Sequence, residues 1–315
     1  MALKTLIVGA NGQIGTELAE ALAERQGDDA VVTSDLAPDG RVPRLAHEAL
    51  DVTDAAALSA VVARHRIERI VLLAAALSAN GEKHPQWAWN LNMSGLLNVL
   101  ELARTMKLKQ VFWPSSIAAF GPTTPATAAQ HTVMDPTTVY GISKLAGERW
   151  CAWYHANHGV DARSLRYPGL ISWKTPPGGG TTDYAVEIFH AALKDRRYTC
   201  FLREDTRLPM MYMPDAIRAT IELMEAPAQA IRERGSYNLA GLSFTPREIA
   251  DEVARQVKGF VLTCEPDFRQ AIADSWPQVI DDAQARDDWG WRTRYDLTAM
   301  VQDMLHHLSA PSRPS

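Results

Sequence analysis

The sequence predicts an α/β protein in which a doubly wound parallel sheet is followed by a smaller lobe. Three observations lead to this expectation. Strand-like runs alternate with helical periodicity over residues 4–167, the runs are apolar enough to be buried on both faces, and the pattern becomes irregular afterwards. Right-handed crossovers would bring the loop after each strand to one sheet edge, where ligands bind.

Strands and helices are expected in strict alternation through the first half of the chain. The predicted strands are KTLIVG (4–9), AVVTSD (30–35), RIVLLAA (69–75), QVFWPSS (110–116) and ARSLRY (162–167). Apolar spacing predicts helices from Ile14, around 58–65, over 86–107 and from Tyr140, and later near 183–195, 214–225, 246–258 and 296–308. Before the helix at 246–258, Thr245-x-x-Glu248 forms a capping box with Pro246 at the first helical position.

Bulk composition excludes several classes of function. The formal charge of −5 leaves no basic excess with which to bind a nucleic acid. The three cysteines form no CxxC and the histidines form no HExxH, so we expect neither disulfides nor a metal site. No signal peptide and no run of membrane-span length is recognisable, so we expect a cytoplasmic protein without a membrane partner.

The first strand ends in GANGQIG, which places Gly9, Gly12 and Gly15 in a GxxGxxG pattern. The first glycine permits a tight turn, the second lets the backbone approach a pyrophosphate, and the third allows close packing of helix on strand. A glycine turn with a purely structural role is the alternative. The position of the motif between the first strand and the first helix favours a dinucleotide site and a Rossmann-type sheet.

Two acids extend this candidate dinucleotide site. Asp35 ends the second strand, twenty residues after Gly15, where a carboxylate accepts hydrogen bonds from an adenosine ribose and repels a 2′-phosphate. We therefore expect NAD as the cofactor in preference to NADP. Asp51 and Val52 lie just before the next helix, where the acid either meets the adenine amino group or caps the helix.

A second motif, YGISK, places Tyr140 and Lys144 four residues apart and therefore on one helix face. A neighbouring ammonium and a positive nicotinamide ring should lower the pKa of the phenol from about 10, so that it can act as a base. Upstream, Ser115 and Ser116 end the fourth strand, where a hydroxyl can hold a substrate alcohol. A chance pair of surface residues is the alternative, and the order of the motifs disfavours it.

In motif and order, GANGQIG, SSIAAFG, YGISK and LRYPG (165–169) resemble the extended short-chain dehydrogenase/reductase superfamily. The resemblance implies that Ser116, Tyr140 and Lys144 are catalytic, with Tyr140 as the base. It also implies a set of NAD-binding positions, namely Gly9, Gly12, Gln13, Ile14, Asp35, Asp51, Val52, Leu73, Ala74, Ala75, Asn92, Tyr140, Lys144, Tyr167, Pro168, Gly169 and Leu170.

Domain boundaries follow from this reading. We expect the Rossmann-type, NAD-binding domain over residues 1–168, with parts of 205–240 returning to it. Residues 169–308 would mainly form the substrate-binding lobe, and 309–315 a disordered tail.

Later segments narrow the resemblance. SLRYPGLIS, PGGGTTDYAVEIF, DTRLPMMYMPDAIRATIELM and SWPQVIDDAQARDDWGW look like the bacterial short-chain L-threonine 3-dehydrogenases, over about residues 4–308 in all. This implies NAD-dependent oxidation of the L-threonine 3-hydroxyl to 2-amino-3-oxobutanoate, in threonine degradation to glycine. A nucleotide-sugar 4-epimerase or dehydratase of the same superfamily is the alternative, and a non-catalytic NAD-binding regulator is a third hypothesis.

The stretch PGGGTTD (177–183) is interpreted as the amino-acid end of the pocket and its moving lid, since no lysine follows the glycines as in a phosphate loop. Backbone N–H groups with Thr181 and Thr182 would bind the substrate carboxylate. Asp183 would bind the ammonium or, more in keeping with its position, serve the start of a helix. The expected substrate-binding positions are Ser78, Ser115, Tyr140, Gly180, Thr181, Thr182 and Trp276.

Some of these residues have a plain structural alternative. Ser78 could be a turn serine, and Trp276 could simply pack in the core. Arg207 occupies a position where nucleotide-sugar enzymes often bind a diphosphate, but we expect a salt bridge within the lobe. By analogy with the superfamily, the helices near 86–107 and Tyr140 should form the four-helix bundle of a homodimer, with Leu97 and Trp150 facing outward.

Overall fold

The structure, a computed structural model, describes residues 3–76, 78–176 and 180–309, and of residues 78–80 the backbone alone. The strands of the first half are β1 (Thr5–Val8), β2 (Val31–Asp35), β3 (Ala46–Ala49), β4 (Arg69–Leu72), β5 (Gln110–Phe112), β6 (Ser115–Ser116), β7 (Thr127–Ala128), β8 (Ala162–Arg163) and β9 (Leu165–Tyr167). Its helices are α1 (Gln13–Gln26), α2 (Ala55–His65), α3 (Ser78–Lys83), α4 (Pro85–Trp89), α5 (Gly95–Met106) and α6 (Val139–His158).

Six parallel strands form the central sheet, in the order β3-β2-β1-β4-β5-β8. The chain moves outward in one direction from β1 to β3 and in the other from β4 to β8, so the strand order reverses between β1 and β4. Every residue of β1 and β4 is buried, because helices cover both faces of the sheet. Ile7 packs with Leu18 of α1, whereas Leu6 packs on the opposite side with Leu58 of α2. The predicted Rossmann-type α/β fold is confirmed.

The structure differs from the predicted elements at several places, and the strand expected at 162–167 divides into β8 and β9 of different sheets. The strand expected at 110–116 divides into β5 and β6, because Pro114 has no N–H with which to continue the ladder. Edge strand β3 was not predicted, since its sequence AHEA is polar and half-exposed. The helix expected over 86–107 is α4 and α5 joined by a π-helical turn, Asn90–Ser94.

The second half contributes the remaining elements of the fold. Its strands are β10 (Gly169–Ile171), β11 (Arg197–Cys200), β12 (Leu208–Tyr212), β13 (Tyr237–Asn238), β14 (Leu242–Phe244), β15 (Val261–Cys264) and β16 (Val279–Ile280). Its helices are α7 (Tyr184–Asp195), α8 (Met213–Glu225), α9 (Pro246–Gln256), α10 (Arg269–Asp274), α11 (Ala283–Trp289) and α12 (Leu297–Ser309). The predicted capping box at the start of α9 is confirmed, since the side chains of Thr245 and Glu248 each accept the backbone N–H of the other residue.

A separate hydrophobic core lies under the short sheet β10-β12-β14, where helices α7, α9 and α12 pack together. Between these elements the chain returns to the central sheet. Helix α8 packs against α1 in the hydrophobic core on one face of the central sheet, which contains Ile7 and Leu18. Strand β13 pairs with β9. Among the described residues, no helix has the length and apolar character that a membrane span needs, and no three His, Cys, Asp or Glu side chains gather as a metal site would require.

Candidate active site

The turn between β1 and α1 is closed so tightly that two positions have no room for a side chain. Gly9 adopts φ of 83°, and a Cβ there would lie 2.5 Å from the backbone nitrogen of Ala74. A Cβ at Gly15 would lie 2.5 Å from the carbonyl oxygen of Gly9. Gly12 is the N-cap residue, so Gln13 and Ile14 open α1 with N–H groups that have no acceptor within the helix. This cradle of backbone donors fits the phosphate groups of a dinucleotide.

Asp35 lies beside this turn at the end of β2. Its Oδ2 accepts the N–H of Asn11 at 3.1 Å, and its Oδ1 accepts the N–H of Leu36 at 2.8 Å. Each oxygen keeps a lone pair for a further donor, such as a ribose hydroxyl. The carboxylate therefore shapes the glycine turn and keeps acceptor capacity for a further donor.

The remaining predicted adenine and ribose positions follow β3 and β4. Asp51 accepts hydrogen bonds from the N–H and hydroxyl of Thr53, and α2 is capped instead by Asp54, which decides that alternative against Asp51 as the cap. Val52, the residue after Asp51, is buried. Residues 73–75 (Leu73, Ala74, Ala75) leave β4 directly, and Leu73 and Ala74 donate to the carbonyl of Val8.

Asn92 lies in the π-helical turn with both ends of its amide engaged. Its Oδ1 accepts the N–H of Ala76 at 2.8 Å, and its Nδ2 donates to the carbonyl of Ala76 and to Ser143 Oγ at 3.0 Å. Ser143 in turn donates to the carbonyl of Tyr140. The structure thus uses Asn92 to hold the loop after β4 against α6.

Helix α6 carries the predicted reactive side chains into the carboxyl edge of the sheet. Thr138 caps the helix by accepting the N–H of Gly141, which starts it immediately before Tyr140. The Tyr140 hydroxyl lies within hydrogen-bonding reach of Ser116. Lys144 donates to the carbonyl of Pro114 at 2.6 Å, and its Nζ lies 5.3 Å from the Tyr140 ring centroid and 4.5 Å from that of Trp113. Ser116, Tyr140 and Lys144 are therefore brought together as predicted.

Burial perturbs the pKa values of both Tyr140 and Lys144. Burial raises the pKa of Tyr140 to about 12, although the hydrogen bond with Ser116 acts in the opposite direction. Burial also lowers the pKa of Lys144 to about 7. In the protein alone, loss of hydration outweighs the Ser116 hydrogen bond, and the lowering expected with a positive nicotinamide ring beside the phenol stays a prediction.

Ser115 and Ser116 are adjacent but serve different surroundings. Successive residues of a strand point to opposite sides. Ser116 faces Tyr140, whereas Ser115 is buried and donates to Oε1 of Glu148 at 2.6 Å. Of the two candidates for the hydroxyl that would hold a substrate alcohol, the geometry favours Ser116.

The segment after β9 runs from this group towards the lobe. The Tyr167 hydroxyl is hydrogen-bonded to Thr220 in the core, so only the backbone of this residue can face a ligand. Pro168 follows it, and Gly169 and Leu170 open β10. A Cβ at Gly169 would lie 2.6 Å from Met210 Sδ and 2.6 Å from Thr182 Cγ2, so this glycine brings Thr182 against the strand.

The predicted substrate loop is described only from Gly180 onward, and Gly178 and Gly179 lie outside the described residues. The N–H of Gly180 donates to Asp183 Oδ2 at 2.8 Å, which closes a turn before α7. Thr181 is buried beneath it, and Thr182 is half-buried beside Gly169. Asp183 precedes α7 without a side-chain capping bond. Ser78 is the first residue of α3, and its side chain is likewise outside the described residues.

Trp276 and Arg207 complete the predicted positions. Trp276 packs against the lobe core and against a small cluster that contains Ile117 and Phe120, just after Ser116. It therefore bridges the lobe and the strand end that carries Ser116. Ser116, Tyr140 and Lys144 are together called the reactive group below. Arg207 forms the predicted salt bridge within the lobe, to Glu248 at 2.5 Å, and also donates to the carbonyl of Ser243.

The whole chain was compared with models of known protein families. A model of the NAD dependent epimerase/dehydratase family matches residues 5–240. The chain belongs to this family. As expected from the sequence motifs, it is an extended short-chain dehydrogenase/reductase.

Several known proteins are similar to this chain over nearly its whole length. A solved structure described as a GalE-like L-threonine dehydrogenase from Cupriavidus necator (holo form) is 69% identical, with a TM-score of 0.96 and coverage of 97% of this chain and 99% of that one. An L-threonine dehydrogenase from Phytophthora infestans is 46% identical, with a TM-score of 0.94 and coverage of 98% and 99%. An uncharacterized epimerase/dehydratase from Staphylococcus haemolyticus is 48% identical over 96% of each chain. Together they support an NAD-type oxidoreductase.

Two residues at this candidate site were missed from the sequence. Glu148 and Arg166 form a buried ion pair directly behind Ser115. The spacing of Glu148 four residues after Lys144 was a visible signal that it shares the helix face of the reactive group. Its partner on β9 could not be found in that way, because the pairing is created by the tertiary fold.

Proposed function

We propose that the chain is an NAD-dependent L-threonine 3-dehydrogenase that oxidises the 3-hydroxyl of L-threonine to 2-amino-3-oxobutanoate. The observation that carries the proposal is 69% identity over 97% of the chain to a protein described as an L-threonine dehydrogenase. The grouping of Ser116, Tyr140 and Lys144 at the sheet edge supports it.

The glycine turn and Asp35 support NAD as the cofactor. The N–H groups that open α1 would bind its pyrophosphate, and Asp35 would accept hydrogen bonds from its adenosine ribose. A 2′-phosphate would meet the negative charge of Asp35, which favours NAD over NADP. When bound, NAD supplies the acceptor for the hydride that leaves C3 of the substrate.

Tyr140 is proposed to remove the hydroxyl proton of the substrate while Ser116 holds the oxygen. With a pKa raised to about 12 by burial, the phenol becomes a competent base only when positive charge gathers beside it. The Lys144 ammonium supplies such charge when it is protonated, 5.3 Å from the ring centroid. A positively charged nicotinamide ring would act in the same direction.

The lobe would recognise the amino-acid part of the substrate. Thr181 and Thr182 lie where the loop meets β10, and their hydroxyl and backbone donors suit a carboxylate. Trp276 spans the lobe core and the cluster after Ser116, a position that suits closure of a small pocket.

The chief alternative is a nucleotide-sugar epimerase or dehydratase of the same family. Such an enzyme needs cations for a diphosphate. Arg207, which holds the relevant sequence position, is instead committed to Glu248 and to the Ser243 carbonyl. This commitment disfavours the alternative.

A substrate panel tests the proposal. NADH formation would be followed by absorbance with L-threonine, L-serine, L-allo-threonine and 3-hydroxybutyrate, and UDP- and dTDP-sugars would be assayed in parallel. We expect turnover of L-threonine above the other compounds. No turnover of L-threonine with either nicotinamide cofactor would refute the proposal, and conversion of a nucleotide sugar without net NADH would establish the alternative.

We also propose that two copies associate through α4, α5 and α6. Large apolar side chains are exposed along the outer surface of these helices, including Trp89 (44%), Ile142 (46%), Trp150 (38%) and Trp153 (45%). Trp89 and Ile142 line one surface groove, and the rings of Trp150 and Trp153 are in contact. Exposed apolar surface of this kind is typical of an interface. Sedimentation equilibrium should give a dimer for the wild-type protein and a monomer for Ile142→Glu, and a monomeric wild type would refute the assembly.

A further inference from the structure

A buried carboxylate lies directly behind the reactive group. Glu148 and Arg166 retain 1% and 5% of their side-chain exposure. Arg166 Nε donates to Oε1 of Glu148 and Nη2 to Oε2, each at 2.8 Å. Oε1 also accepts the Ser115 hydroxyl at 2.6 Å, so the carboxylate is charged, bidentate and hydrogen-bonded at once.

The position of Glu148 links it to every member of the reactive group. It follows Lys144 by four residues and Tyr140 by eight on α6, so the three share one broad face. Its hydrogen bond to Ser115 fixes the residue immediately before Ser116.

Arg166 ties the same carboxylate to two further strands. It lies on β9 in register with Ser115 of β6, and its Nη1 donates to the Gln130 carbonyl and to Asn238 Oδ1 on β13. The pair therefore holds α6, β6, β9 and β13 in one arrangement at the end of the sheet.

We propose that Glu148 is a positioning residue: through Ser115 it holds Ser116 opposite Tyr140, and through space it holds positive charge on Lys144. The effect on Ser116, called the positioning component, rests on the reaction given under Proposed function. The effect on the charge of Lys144, called the charge component, is independent of the substrate.

The electrostatic surroundings of Lys144 support the charge component of the proposal. The largest effect on this group is burial, which lowers the pKa to about 7, whereas the neighbouring Cys151 and Glu148 act in the opposite direction. The titratable groups around Lys144 are Tyr140, Cys151 and Glu148 on α6 itself, and Arg166 on β9, which acts through Glu148. The pKa of Cys151 is raised to about 12 by burial, so Glu148 is the one of these carrying negative charge at neutral pH.

A buried pair could also be retained for stability alone, since breaking one typically costs several kcal/mol. The chain offers a matched control for that possibility. Asp161, beside β8, pairs with Arg163 at 2.8 Å and with Arg234 at 2.6 Å, and it also accepts a hydrogen bond from Gln110. These three partners are distinct from Ser116, Tyr140 and Lys144. Asp161→Asn should therefore lower stability without any effect on Lys144.

Titration of Lys144 in the folded protein tests the charge component without a substrate. Nitrogen-15 NMR of lysine-labelled protein, assigned with Lys144→Arg, would be compared for wild type, Glu148→Gln and Asp161→Asn. Glu148→Gln keeps the size of the side chain and an oxygen for Ser115. We expect a midpoint near pH 7 in wild type, a midpoint lower by roughly one unit in Glu148→Gln, and no change in Asp161→Asn. Equal midpoints in all three, or equal shifts in both variants, would overturn the proposal.

Kinetics test the positioning component. Glu148→Gln should lower kcat per folded molecule by roughly ten- to hundredfold, a part of the 10²–10⁴ that acid–base catalysis typically contributes, with KM for NAD within about twofold. The alkaline limb of its kcat profile should move to lower pH. Wild-type kcat in Glu148→Gln would overturn this component even if the midpoint had shifted.

Two further comparisons keep the outcome decisive. If Glu148→Gln does not fold, Ser115→Ala removes the link to β6 but keeps the ion pair, and wild-type kcat in that variant would overturn the positioning component. A wild-type protein whose Lys144 titrates as expected but which does not oxidise L-threonine would refute the proposed function and leave the charge component standing.

Discussion

The glycine turn after β1 and the group around Tyr140 border the same sheet edge but are built in opposite ways. The turn works by the absence of side chains, since a Cβ at Gly9 or Gly15 would lie 2.5 Å from backbone atoms. The reactive group works by side chains whose charges are perturbed by burial. One region should therefore fail when an atom is added and the other when an atom is removed.

The largest effect is expected from removing one oxygen from the reactive group. Tyr140→Phe should lower kcat by roughly 10²–10⁴, since it deletes the proposed base, while Kd for NAD stays within about twofold. NADH formation and calorimetric NAD binding would measure the two quantities. Tyr154→Phe on the same helix is the control, because that hydroxyl contacts Glu101 at 3.3 Å and not the site. Near-wild-type turnover in Tyr140→Phe would exclude this residue as the base.

Adding one methyl group to the glycine turn should have the next largest effect. Gly15→Ala should lower the free energy of unfolding by roughly 1–3 kcal/mol and weaken NAD binding by roughly ten- to hundredfold, since backbone must move to admit the Cβ. Gly81→Ala is the control, because a Cβ there makes ordinary contact with Ala88 at 3.5 Å. Calorimetry and denaturant unfolding measure both effects, and equal behaviour of the two variants would contradict the steric argument.

Asp35 is the side chain beside the turn that is proposed to select NAD over NADP. Asp35→Ser should shift the NAD/NADP ratio of kcat/KM by roughly tenfold or more towards NADP, because a hydrogen bond to a charged group contributes about 1.5–3 kcal/mol. Asp39→Ser, an exposed acid on the adjoining loop, is the control. An unchanged ratio in Asp35→Ser would remove this residue from cofactor selection.

A smaller effect should appear in the pH dependence of stability. The folded-state pKa of Lys144, about 7, is below the usual value, so the buried ammonium destabilises the fold at and below pH 7 and the penalty disappears as pH rises towards 10. Relative to Lys144→Met, the free energy of unfolding of the wild type should therefore rise by roughly 1 kcal/mol per pH unit over part of this range. Urea unfolding at several pH values would measure the difference, and a constant difference would show that Lys144 is not perturbed.

The two regions also differ in how far the sequence predicts them. GANGQIG is continuous in the chain, so its turn, its helix and its contact with β4 could be predicted from local pattern and strand order. The spacing of Tyr140 and Lys144 was equally readable. The raised pKa of Tyr140 in the protein alone could not be predicted from the sequence, because the burial that causes it is created by the tertiary fold.

Other features could be predicted only in part. Pro114 is visible in the sequence, but the division of its strand into β5 and β6 depends on the pairing of β6 with β9. The ion pair between Glu148 and Arg166 joins positions 18 residues apart through the same pairing. The roles given to Ser78 and to the loop at Thr181 and Thr182 remain predictions.

Helix α6 has a consequence for how the chain tolerates change. One face carries Tyr140, Lys144 and Glu148, and the opposite surface exposes Ile142, Trp150 and Trp153. An ordinary surface helix leaves about half of its circumference free to vary. In a population of functional variants, α6 should therefore accumulate fewer substitutions than α2, whose outer face is exposed and mostly alanine. The substitutions accepted in α6 should lack the usual helical period.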